Sequence, residues 1–166
     1  MPEGGEGAHN MQARSGCEPW WAALTVWAVV NAVNVLQAAG FLSRISTESM
    51  AVNHLIGYVI IVLAIPSTVA LVALVRTGAG WLHLAGPIAF LAFVALMAVV
   101  DYAWPVEFRS PMRYGVLVPY LMLFFGAIFL MGLPMFRLNR QLWLVTVATT
   151  ALLLGAMGVA MRKGVG

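Results

Sequence analysis

Hydrophobic and polar positions along this chain alternate in long blocks rather than residue by residue. Five stretches contain no Asp, Glu, Lys or Arg: Trp20–Leu42, Leu55–Val75, Trp81–Val100, Gly115–Phe136 and Leu142–Met161. A hydrocarbon layer about 30 Å thick is crossed by about 20 helical residues, and each stretch reaches that length. Backbone amides in lipid must be bonded internally, so the spans are helices or the strands of a closed barrel. Barrel strands alternate apolar and polar residues over about ten positions, and these runs do not. The pattern predicts an all-α integral membrane bundle of five transmembrane helices, at 20–42, 54–75, 81–102, 115–136 and 141–161. Together they form one transmembrane domain over 20–163.

The separators are short. Ser43–Asn53, Arg76–Gly80 and Leu138–Arg140 are tight polar connections, and Asp101–Arg113 is the longest and most charged. Short connections make successive helices antiparallel neighbours. Pro66 lies near the middle of the second span, where a missing amide hydrogen predicts a kink rather than a break. Residues 1–19 are rich in Gly, Glu and Pro without periodicity and are expected to form a disordered tail. Either Met1 or Met11 can be read as the start. The first apolar run is longer than the core of a signal peptide and carries Asn31 and Asn34, so it reads as a retained helix.

Composition agrees with this pattern. Of 166 residues, 62% are hydrophobic and 9% charged, too few charges to cover a water-soluble domain. The net charge of +3 comes from basic residues scattered singly at span ends. That placement suits lipid head groups and argues against nucleic acid. One cysteine, Cys17, excludes an intrachain disulfide and a cysteine-rich metal cluster.

Five spans put the two ends of the domain on opposite membrane faces. Let face A be the side where the first span starts. Face A then holds Arg14, Arg76, Arg137 and Arg140, and face B holds Arg44, Arg109, Arg113, Arg162 and Lys163. The balance is nearly even under the positive-inside rule. The acidic N-terminal tail and basic C-terminus tilt the expectation to face B, and so the C-terminus, in the cytoplasm. The expected location is the plasma membrane of a prokaryote.

Alternating spans bring residues distant in sequence to one face. Gln37, Glu48, Asn53, His54, Asp101, Glu107, Arg109 and Arg113 all fall at or near face B. Asp101 follows an apolar run without a break, where a carboxylate is partly desolvated and suited to proton exchange or cation binding. Arg109 and Arg113 can hold an anionic head group or pair with Asp101 and Glu107. The plain alternative is an interfacial loop tied down by ion pairs. A second candidate is the stripe Asn31, Asn34 and Gln37, spaced by three on one helix face. Amides facing lipid are costly, so the stripe should face the interior, as interhelical glue or as a water- or substrate-lined path.

His54 and His83 invite a haem reading, but they begin spans on opposite faces, about 25–30 Å apart by helical rise. No metal or other cofactor is therefore expected. Ala85, Ala89, Ala92 and Ala95 on the third span, with Ala151 and Gly155 on the fifth, are expected to pack helices within the chain, with a homodimer as the alternative. Thr146, Thr149 and Thr150 are expected to bond back to their own helix. No phosphate-binding loop, dinucleotide fingerprint, zinc-protease motif or nucleophile elbow occurs. The sequence names no reaction. Three roles fit it: a permease-like or transport-associated protein, a membrane-embedded enzyme acting on a lipid or isoprenoid, and an accessory subunit of a larger membrane complex.

Overall fold

A computed structural model describes residues 19–47, 51–103 and 114–164. Five helices, α1 Trp20–Thr47, α2 Ala51–Arg76, α3 Trp81–Met97, α4 Tyr114–Leu138 and α5 Arg140–Arg162, follow the five apolar blocks. A six-residue π-helical turn, Ala98–Ala103, continues α3. All five spans are long and apolar enough to cross a membrane, and together they form an α-helical membrane bundle. The expected tail at 1–19 falls almost wholly outside the described residues.

The helices outrun the blocks that predict them. α1 continues through Ser43–Thr47, five residues past its apolar run. Helix formation needs no apolar side chain, so the segment stays helical after it leaves the hydrocarbon. Its hydroxyls bond locally: Ser43 Oγ donates to the Gly40 carbonyl at 2.9 Å, and Thr47 Oγ1 to the Ser43 carbonyl at 2.8 Å. α2 runs unbroken through Pro66, where Thr68 Oγ1 donates to the Ala64 carbonyl at 2.8 Å. α2 ends in a Schellman turn. The Ala79 amide donates to the Leu74 carbonyl at 2.9 Å, and the Gly78 amide to Val75 at 3.1 Å. Gly78 takes φ 68°, the left-handed conformation that this turn requires. The turn between α4 and α5 is tighter still: Asn139 Oδ1 caps α5 by accepting from the Gln141 and Leu142 amides.

α1 is the central element. It packs on α2, α5 and α4, while α2 meets α3, α3 meets α4, and α4 meets α5. Its span is 50% buried, against 22% for α2 and α5. The core is built from Val26, Val30 and Val33 of α1, Ile60 and Leu74 of α2, Phe93 of α3, Met131 of α4 and Leu153 of α5. Outward faces are equally apolar: Ile65, Met122, Phe129 and Leu152 are exposed. In water such a surface would aggregate; in lipid it is the solvated face.

The closest helix approach is at Gly86. A β-carbon there would stand 2.8–2.9 Å from the backbone of Leu130 and Met131 on α4. The expected small-residue contacts differ from this. Ala85 and Ala89 are half-buried, but Ala92, Ala95, Ala151 and Gly155 are exposed. Gly86, one position off the alanine stripe, makes the backbone contact instead.

Candidate functional site

The amide stripe of α1 meets the hydroxyl face of α5. Asn31 Nδ2 donates to the Trp27 carbonyl at 2.7 Å and to Thr146 Oγ1 at 3.1 Å. Thr149 Oγ1 donates to Asn31 Oδ1 at 2.7 Å. One turn on, Asn34 Nδ2 donates to Thr149 Oγ1 at 3.1 Å and to Thr150 Oγ1 at 3.0 Å. Trp27 Nε1 donates to the Leu142 carbonyl at 2.9 Å, closing the same seam toward face A. Asn34 is fully buried and Thr146 nearly so. Thr146 and Thr149 do bond back to their own helix, to Leu142 and Thr146, yet they also receive or bind the asparagines. The amide stripe predicts an interior partner; that the partner is the threonine face of α5 follows from the fold. Gln37, the third member, is half-buried and takes no part in this seam.

Two hydrogen-bonding valences stay open in the seam. Asn34 Oδ1 is buried with no partner. Turning that amide over would leave its nitrogen in the same position, exchanging one orphan for another. The Thr150 hydroxyl accepts from Asn34, and among the described residues it makes no hydrogen bond as a donor.

Beside Thr150, α4 and α5 part. They touch where Gly132 faces the Thr146 methyl, 3.1 Å from the position of a β-carbon. Around that contact lies a groove of about 660 Å³, walled by Phe125, Phe129 and Phe136 of α4 and by Trp143 and Leu154 of α5. Its polar side-chain groups are the hydroxyls of Thr146 and Thr150 and the indole N–H of Trp143. Phe129, Phe136 and Leu154 are exposed, so the groove opens sideways onto the lipid face.

Part of the face-B group, including His54 and Asp101, lies among the described residues. The C-terminal end of α3 meets the starts of α2 and α4 through adjacent residues of the π turn. Tyr120 Oη donates to Asp101 Oδ2 at 3.3 Å. Tyr102 turns the other way, where its hydroxyl lies over Gly57 and donates to the His54 carbonyl at 2.9 Å. The Tyr102 ring packs at a tilt against Tyr58, centroids 4.8 Å apart, and meets the His54 ring edge-on at 6.0 Å. Successive residues of a helical turn project in different directions, so residues 101 and 102 address different neighbours. Tyr120 and Phe124 pack on Phe93, so this face of α4 belongs to α3 and is separate from the groove.

Arg44, at the same end, is 8% exposed. With the Asn53 amide oriented for its neighbours, Oδ1 accepts from Arg44 Nε at 2.9 Å and Nδ2 donates to the Gly40 carbonyl at 3.2 Å. Nothing in the local sequence marks Arg44 as buried; its signal is the position at the end of a central helix. Glu48, Glu107, Arg109 and Arg113 lie outside the described residues. His54 begins α2 beside Tyr102, and His83 begins α3 among Ala23, Leu74 and Met135. Among the described residues no three His, Cys, Asp or Glu side chains group as a metal site would require.

No protein-family model, curated protein or solved structure matches the chain.

Proposed function

We propose that this is a transport-associated, permease-like membrane protein whose cargo is an alkyl or isoprenoid chain. The cargo enters sideways from the bilayer, between α4 and α5. The groove carries this reading: about 660 Å³, apolar walls, no charged lining residue, and a mouth on the lipid face. A site of that chemistry suits hydrocarbon, since an ion or nucleotide would be desolvated there without compensation. The buried, bonded asparagines support a rigid wall behind the groove rather than an aqueous path. Asp101 and His54 then belong to a polar site at the opposite, face-B end, to which the sequence also assigns Glu107, Arg109 and Arg113. Face B is cytoplasmic in a prokaryotic plasma membrane.

The experiment is photolabelling in nanodiscs with a phosphatidylcholine carrying a diazirine on one acyl chain. Adducts should concentrate on Phe129, Leu133, Val147 and Leu154, above the level at the exposed α2 residues Val62 and Ile65. Ala151→Trp, which fills the groove, should return them to that level. Even labelling of all outward faces would end the proposal. If the chain instead co-purifies with a second membrane protein, or a second copy, whose helix shields these positions, it is an accessory subunit and the groove is its interface.

A second reading, a membrane-embedded enzyme acting on a lipid or isoprenoid, is favoured by the Asp101–Tyr120 pair at the bilayer edge. It requires that Asp101→Asn change the lipid profile of the host cell. An unchanged profile counts against it.

A further inference from the structure

The groove is not uniformly apolar, and one of its polar points, Thr150, is tied to the α1–α5 seam. Thr150 lines the groove and also accepts from Asn34 Nδ2 at 3.0 Å. That bond commits the threonine oxygen as an acceptor and leaves its hydrogen to donate elsewhere. Thr149 and Thr146 differ. Thr149 gives its hydrogen to Asn31 at 2.7 Å, and Thr146 gives its own to the Leu142 carbonyl at 3.4 Å. Thr150 is thus the donor that the seam presents to the groove. A hydroxyl that accepts one hydrogen bond is polarised to donate the next more strongly, and low-dielectric surroundings enhance this. An unused donor next to hydrocarbon is costly, so an oxygen brought by the ligand is favoured. The buried, unpartnered Asn34 Oδ1 sits in the same network. It is a second unmet valence beside Thr150, inside the seam rather than on the groove wall.

We infer that the α4–α5 groove selects a lipid-phase molecule bearing one uncharged oxygen, a hydroxyl or a carbonyl, which accepts from Thr150 while its chain lies against Phe125, Phe129 and Leu154. Asn34 is a positioning residue that turns the Thr150 hydroxyl outward. This inference rests on the groove being a ligand site and adds the class of ligand.

The test uses the full chain in nanodiscs and three photoreactive probes of equal length: an alkane, a long-chain primary alcohol and the corresponding ketone. The alcohol and ketone should half-saturate groove labelling at about 3–10-fold lower concentration than the alkane, the range of one net hydrogen bond. Thr150→Val should erase that preference while leaving alkane labelling near wild type, with a modest fall in melting temperature because the Asn34 amide loses one acceptor. Thr150→Ser should retain the preference. Equal labelling by all three probes, or a preference that survives Thr150→Val, would overturn the inference and leave the groove as an unselective hydrocarbon site. Failure of every probe to label the groove above the α2 background would remove the ligand site itself. An alcohol preferred over the ketone would support the inference and narrow the ligand group to a hydroxyl.

Discussion

At the residue scale, the polar side chains inside this bundle fall into two kinds, and stability measurements should separate them. Asn31 is fully engaged: both amide hydrogens and its oxygen have partners. Interhelical hydrogen bonds in membranes contribute about 0.6 kcal/mol on average and up to about 1.7 kcal/mol. A double-mutant cycle of Asn31→Ala with Thr149→Val, read by unfolding in mixed micelles, should give a coupling in that range. A coupling of zero would mean that the seam holds nothing together. Ser67 is the opposite kind, fully buried with an unpartnered hydroxyl. Ser67→Ala removes the orphan and should leave stability equal to wild type or higher. A loss of more than about 1 kcal/mol would reveal a bond that the packing conceals. The amide spacing in α1 is plain in the sequence. The threonines are plain too, but nothing local says that residues 115 apart pair.

At the element scale, the bundle is held by close approach as much as by side-chain packing. Gly86 admits the α4 backbone, and an added methyl would meet Met131 N and Leu130 C, which no rotamer change can relieve. Gly86→Ala should destabilise the protein by about 1–3 kcal/mol, as overpacking does. Gly126 of α4 has open space around it, and Gly126→Ala should be neutral or slightly stabilising. Equal effects of the two changes would show that α3 and α4 do not meet as described. The π turn is a second element-scale device. Tyr102→Phe removes the bond to the His54 carbonyl, freeing the end of α3 from α2. Hydrogen exchange of amides 98–103 should accelerate in that variant, while those of the central α1 stay protected. Neither device is visible as a pattern. A glycine among alanines looks like any small residue, and a π turn changes the hydrogen-bond register without changing composition.

At the scale of the whole molecule, five spans place successive turns on alternate faces. In a Cys17→Ser background, single cysteines at Gly80 and Lys163 should label from opposite sides of sealed vesicles. Labelling from the same side would require an even number of crossings and would dissolve the grouping of Asp101 with His54 and Tyr120. The groove also belongs to this scale, because it exists where two helices joined by the single residue Asn139 separate along their length.

What the chain determines by itself is its solvent and its count of crossings. Charge-free runs of about 20 residues have one low-energy state, a helix across hydrocarbon, and the free energy is large enough to override local detail. Except on α1, where the amides mark it, the chain does not determine which side of a helix faces inward. In water the core is marked by an apolar stripe against a polar face, but here lipid and core are equally apolar, so the spans are hydrophobic all round and the stripe vanishes. Tertiary structure alone decided that α1 is central, that Asn31 and Asn34 meet threonines of α5, and that Arg44 is buried. It alone decided that α4 and α5 part beside Thr150. Each outcome depends on how closely two helices can approach, a property of shape that hydropathy does not encode.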